Sequence, residues 1–231
     1  MDTNKELEAL IQAEPSNTDD KETDISAETR NKSFVKWYMC IAASLAWFSQ
    51  HYVLWYPAYI ESALINKYNW SSAEYSYIIS IPYFLAIITP LFIPYILHWD
   101  KILPFKGSII STLIFIQFIG FTLSSILLYL SILLLNGNIY LIYISRILMG
   151  IGVGGTDSLS MSLLIFWFGE NGISLAAAFT IIGAETGIIT GRLTTEPIAN
   201  IVGLKQIFLF PILVSVFIII IFVICAGIIF N

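Results

Sequence analysis

The sequence predicts an all-α membrane protein, a polar N-terminal tail followed by six transmembrane helices, and three observations carry that prediction. The chain is 57% hydrophobic and 12% charged, about half the roughly 25% charge of a soluble domain. Mean hydropathy is +0.80, and much of the charge sits in the first 36 residues, which drains the rest further. Six apolar runs then reach the ~20 residues needed to cross ~30 Å of hydrocarbon as helices. None of them alternates with period two, so barrel strands are excluded. Lipid offers backbone groups no water partner, and helices are what remain.

Residues 1–33 form the tail. They are polar and free of aromatics, and are expected to be disordered and cytosolic. An acidic start without an early apolar run excludes a secretory signal. The formal charge of -5 mostly reflects this tail. Within it, Glu6, Leu10 and Ile11 match the acidic dileucine pattern E-x-x-x-L-[LI] that sorting adaptors read on accessible peptides. The bland alternative is an amphipathic turn of no consequence.

The bundle occupies 34–231, with spans expected at about 35–58, 74–97, 107–135, 139–168, 173–200 and 206–230. The breaks between them are chemically distinct. NKYNWSSAEY is polar, HWDKILPFK is charged and holds a proline, NGN is a tight turn, FGENG is glycine-rich and VGLKQ is short. Pro82, Pro90 and Pro94 predict kinks in the second span. With the tail in the cytosol, that side carries Arg30, Lys32, Lys36, Lys101 and Lys106, against Lys67 and Lys205 opposite, as the positive-inside rule requires. Asn69, in the sequon NWS, then faces the lumen or exterior, where it is a candidate for glycosylation. The same pattern at Asn31 lies on the cytosolic side.

Ionisable groups within the spans are costly and must face a cavity or a partner. Arg146 and Asp157 lie in the fourth span; Glu185, Arg192 and Glu196 lie in the fifth. At about 1.5 Å per residue both arginines sit ~10–12 Å below the luminal face. Asp157 and Glu185 fall nearer the midplane. Spacings of seven and four put Glu185, Arg192 and Glu196 on one helix face. Arg192 and Glu196 fit a structural ion pair. Asp157 and Glu185 have no cation one turn away, and an unpartnered acid in hydrocarbon is expected to keep its proton at neutral pH. Such a group relays protons or binds an amine. In the first span, Gln50 and His51 add polar groups, His51 being the more readily explained as packing.

The stretch GIGVGG, Gly150 to Gly155, satisfies the dinucleotide fingerprint G-x-G-x-x-G, with Glu170 about 20 residues past its start. That motif needs a strand before it and a helix after it at an aqueous crevice. Here the glycines lie about halfway along an apolar span, so Gly150-x-x-x-Gly154 is expected to be a helix-packing groove instead. No nucleophile elbow, CxxC or HExxH is present, and Cys40 and Cys225 read as small buried hydrophobes. No enzyme activity, metal, cofactor or nucleic-acid partner is expected.

Six spans with a short charged loop between the second and third resemble the N-terminal half of a major facilitator superfamily transporter, over roughly 35–230. That family's loop motif, G-x-x-x-D-R-x-G-R-[RK], is matched in degenerate form by Asp100, Lys101 and Lys106, without its glycines. Its fourth-span R-x-x-x-G-x-G is matched by Arg146, Gly150 and Gly152. Within the superfamily, YPAYIESAL and RILMGIGVGG…WF are similar to segments of the MFSD-one-like branch of lysosomal dipeptide transporters. The branch's fourth-span acid falls at Gly154 here and its fifth-span arginine near Gly187, so the charges are displaced and dipeptide specificity does not carry over residue by residue.

The resemblance implies transport of a small organic solute (dipeptide, amino-acid-like or carboxylate) by alternating access. Arg146, Asp157, Glu185, Arg192, Gln50 and His51 are its candidates for substrate contact or proton coupling, and Asp100 and Lys101 form a conformational latch. It also implies a lysosomal or other endomembrane location, with the plasma membrane the alternative. Superfamily members build the substrate path between two six-span halves. This chain is therefore expected to be half of a longer protein, a truncated or split product, or a unit that pairs with itself or another half. The competing class is a membrane scaffold or accessory subunit that transports nothing.

Overall fold

The computed structural model describes residues 18–93, 95 and 109–230. Among them the regular structure is helical throughout, with no strand. The chain divides into two units, Met1–Trp37 and Tyr38–Asn231. In the first, helical backbone begins at Thr18, inside the tail expected to be disordered. That helix, α1, is assigned over Thr18–Trp55.

In the second unit, Pro57 opens a 3-10 turn over Tyr56–Ile60. Proline has no N–H to continue the α-helical ladder. A short helix, α2 (Glu61–Tyr68), closes on Asn69, which adopts a left-handed conformation at φ 53°. Ser71 then caps α3 (Ser72–Ile88): its hydroxyl accepts from the Glu74 N–H at 3.2 Å, and its own N–H donates to Glu74 Oε2 at 2.8 Å. This reciprocal box satisfies two otherwise orphaned donors. Pro82 lies within α3, and Pro90 sits in the 3-10 turn Thr89–Leu91 that follows it.

Helix α4 (Ile109–Gln117) passes through a π-helical turn, Phe118–Leu123, into α5 (Ser124–Leu134). The NGN break reverses the chain through positive φ angles at Asn136 (49°) and Gly137 (79°). Asn138 then accepts from the N–H groups of Tyr140 and Leu141 at 3.0 and 3.3 Å, starting α6. Helix α6 runs over Ile139–Val202, and α7 over Leu209–Phe230.

Helical assignment is continuous through α6, yet its contacts show that it doubles back. Ser44 donates to the Phe179 carbonyl at 2.8 Å, and Trp47 donates to Ser160 at 2.7 Å. Ser44 and Trp47 are one turn apart, whereas Ser160 and Phe179 in a straight helix would be roughly 28 Å apart. The two arms run antiparallel. Ser160 meets Trp47 and Asp157 meets Gln50, so the first arm opposes α1 in direction. Gly183 meets Ser44 and Gly187 meets Phe48, so the second arm follows it.

Among the described residues five helices are long and apolar enough to cross a membrane: Ser72–Leu91, Thr112–Leu134, Ile139–Ile165, Ile173–Val202 and Gln206–Ile224. The protein is thus a multi-pass, all-helical chain by length and composition. The first of the six expected spans, about 35–58, is not among them. Ser44, Ser49, Gln50 and His51 dilute its apolar character, and Ser49 and Gln50 are buried against the bundle rather than offered to lipid.

The largest apolar cluster joins Tyr52, Tyr56, Tyr75, Phe121, Met149 and Phe208 across α1, α3, the π-turn, α6 and the turn before α7. Within it the Tyr56 and Phe208 rings meet edge-on at 6.0 Å and 69°. Much of the remaining interior is polar but small. Thr122 donates to Ser215 at 3.1 Å, Ser145 to the Ser124 carbonyl at 2.8 Å, and Gln117 to Thr156 at 3.2 Å. Small hydroxyl residues let helices approach while supplying interhelical hydrogen bonds, the packing style of membrane bundles.

Candidate functional site

Gln50 lies on the face of α1 that meets the first arm of α6, and is 1% exposed. Its Nε2 donates to Asp157 Oδ1 at 2.8 Å, an assignment of the amide that follows from the carboxylate's accepting character. Gln50 Oε1 is buried without a partner, as is the neighbouring Ser49 hydroxyl. One turn along, the Trp47–Ser160 bond repeats the α1–α6 link. His51 stacks on Trp47 with ring centroids 5.8 Å apart, and its Nδ1 lies 3.0 Å from the Trp47 carbonyl. Gln50, His51, Asp157, Trp47 and Ser160 therefore form one polar ladder between two helices. Its acid is half-buried and bonded to an amide, with His51 the base within its electrostatic reach. Such a carboxyl can hold or release a proton, or accept an ammonium donor, without breaking an ion pair first.

Arg146 is placed elsewhere. It is 2% exposed, and its Nε and Nη2 have no hydrogen-bond partner. Tyr75, whose hydroxyl donates to the Pro57 carbonyl at 3.0 Å, is the neighbour within its electrostatic reach. A buried guanidinium with unsatisfied nitrogens costs several kcal/mol. It is a donor set suited to a carboxylate or another anion.

The second arm of α6 separates its faces cleanly. Glu185, Arg192 and Glu196 are all exposed on one side. No ion pair joins Arg192 to Glu196, against the structural pairing their spacing suggests, and Arg192 lies within electrostatic reach of Tyr59 instead. Arginine preceding glutamate by four residues is the less favourable order on a helix. On the other side, Gly183 and Gly187 receive α1, and Gly191 receives the Tyr59 ring from the turn that follows it. A Cβ at Gly183 would overlap the Ser44 carbonyl oxygen, and one at Gly187 would lie 2.5 Å from the Phe48 carbonyl oxygen. The sequence reading misses this triplet, although its four-residue glycine spacing is the available signal.

Gly150 and Gly154 lie against the α3 region. A Cβ at Gly150 would come within 2.7 Å of the Pro82 carbonyl oxygen, and one at Gly154 within 2.5 Å of that of Ala86. Asn69 is exposed at the end of α2, with Trp70 buried behind it and Ser71 committed to its cap. Glu6, Leu10, Ile11, Asp100 and Lys101 lie outside the described residues. Among the described residues no group of three histidine, cysteine or acidic side chains could hold a metal.

The structure thus brings Gln50, His51 and Asp157 together, buries Arg146 apart from them, and leaves Glu185 and Arg192 on an open helix face. No family model matches this chain, and no curated protein matches it.

Proposed function

We propose that this chain is one six-helix half of a membrane transporter, of major facilitator type, that moves a small organic solute by alternating access. The observation that carries the reading is the Gln50–Asp157 bond: an intramembrane carboxyl held across two helices by a neutral amide. A charge in hydrocarbon is retained for function by default, and packing alone would be served by an apolar pair. Arg146 supplies unsatisfied donors for a substrate carboxylate, while Asp157 and Glu185 serve an amine or carry protons. Dipeptides, amino-acid-like solutes and carboxylate metabolites all fit those two chemistries. A lysosomal or other endomembrane location would follow if Glu6, Leu10 and Ile11 are read by a sorting adaptor.

Uptake by purified protein in proteoliposomes, with and without an inward-acid pH gradient, tests this. Gradient-driven uptake that Asp157→Asn uncouples supports it. If Asp157→Asn and Glu185→Gln both leave uptake unchanged, the acids have no mechanistic part. No uptake by any assembly, with a larger membrane protein co-purifying, would instead make the chain a scaffold.

A further inference from the structure

We propose that the open face of the second α6 arm docks a second copy of this chain, with Arg192 of each protomer meeting the partner's Glu196. The proposal names the partner of the half-transporter reading, and rests on that reading for the need of a second bundle opposite this one. Its own evidence is the charge pattern. Ala178, Ile181, Glu185, Ile189, Arg192 and Glu196 are all exposed and recur at three- and four-residue spacings along one face. Three of these six are ionisable, in a helix apolar enough to cross a membrane. Facing lipid, each would cost several kcal/mol. Arg192 and Glu196 do not pair with each other although one turn apart, and the group within Arg192's electrostatic reach is the Tyr59 hydroxyl, not an acid. The face also cannot turn inward, since Gly183 and Gly187 on the opposite side already touch the α1 backbone.

A two-fold axis along the membrane normal sets the two arms parallel. Arg192 and the partner's Glu196 then differ in height by about 6 Å, across helix axes ~8–10 Å apart, within reach of both side chains. Symmetry makes the contact twice. Ala178, Ile181 and Ile189 fill the seam as small and β-branched residues do between parallel helices. The acid-base order is self-complementary, and that is why the occupant is a second copy rather than an unrelated apolar helix.

The test uses the full chain with two different affinity tags, co-expressed, extracted in mild detergent and captured through one tag. Wild type is expected to co-purify with itself. Arg192→Glu alone and Glu196→Arg alone each place like charges at both contacts, and each is expected to lower self-capture by at least about tenfold. Co-expressing the two variants with each other restores an acid and a base at both contacts, and capture is expected to return. A pair acting within one helix could not be rescued in this way, and the rescue itself reports that both variants fold. Undiminished self-capture of either single variant, no return on mixing, or capture of an unrelated protein in place of the second copy overturns the proposal. The readout needs no substrate, so capture without uptake would retire transport and leave the dimer standing. Uptake by isolated monomers would do the reverse.

Discussion

Gln50 Nε2 donates to Asp157 Oδ1 at 2.8 Å, joining two helices 107 positions apart in the chain. Because the partner is an amide, this bond has a consequence an ion pair would not. Asp157→Asn keeps the shape and still offers Gln50 an acceptor, so the unfolding temperature in detergent is expected to stay within a few degrees of wild type while coupling to the pH gradient is lost. Gln50→Leu leaves the carboxyl without its donor and is expected to cost ~1–3 kcal/mol. Thermal unfolding alongside proteoliposome uptake checks both, and a large loss of stability in Asp157→Asn would count against the neutral-amide account.

Arg146 makes the opposite case. It is fully buried with two unpartnered nitrogens. Replacing an unpaired buried charge with an apolar residue of similar volume removes a desolvation cost. Arg146→Met is therefore expected to unfold at the same temperature as wild type or a higher one, while substrate binding falls. Matched thermal unfolding and uptake measurements decide it. A strongly destabilised Arg146→Met would mean that the guanidinium is paired and structural.

The glycine face of the second α6 arm is a direct packing test. Gly187→Val drives a branched side chain into the Phe48 carbonyl, where even a Cβ would approach to 2.5 Å. The expected cost is ~1–3 kcal/mol or more, read as a lower unfolding temperature and faster proteolysis of α1. Ile182→Val, exposed on the same arm and outside the seam proposed above, is expected to change neither.

Ser71 begins α3 through the capping box with Glu74. Ser71→Ala is expected to cost about 1 kcal/mol, whereas Ser71→Thr preserves both the cap and the sequon at Asn69. Thermal unfolding of both variants before and after enzymatic deglycosylation, with gel mobility reporting the glycan, separates the cap's contribution from that of any attached glycan.

How far the sequence could be read depends on the physics involved. Hydrophobic length is local, so five crossing helices follow from the runs themselves, as do the NGN reversal and the VGLKQ break. The first span is harder, because the partner of its buried Gln50 amide is Asp157, far along the chain. Rise per residue places Arg146 and Arg192 at similar depths, yet one is buried and the other exposed. Depth is a property of one helix; which side faces the core is set by its neighbours. The same limit applies to glycine spacing. Gly150 and Gly154 share their period with Gly183, Gly187 and Gly191, but the period does not say that the first pair receives α3 and the triplet α1 with the Tyr59 ring beyond it.

The clasp of α1 by both arms of α6 bears on how the protein is made. Its bonds to Asp157, Ser160 and Phe179 close loops of 107, 113 and 135 positions. At ordinary synthesis rates those partners emerge roughly 5–30 s after α1 has left the ribosome. Throughout that interval α1 carries the Gln50 amide without the Asp157 carboxylate that it will meet. It cannot settle into lipid on its own terms, and must wait at the insertion machinery or under a membrane chaperone until the α6 hairpin arrives. Truncating synthesis before Ile139 should accordingly leave α1 accessible from the aqueous side, which ties the order of translation to the order in which the bundle becomes a membrane protein.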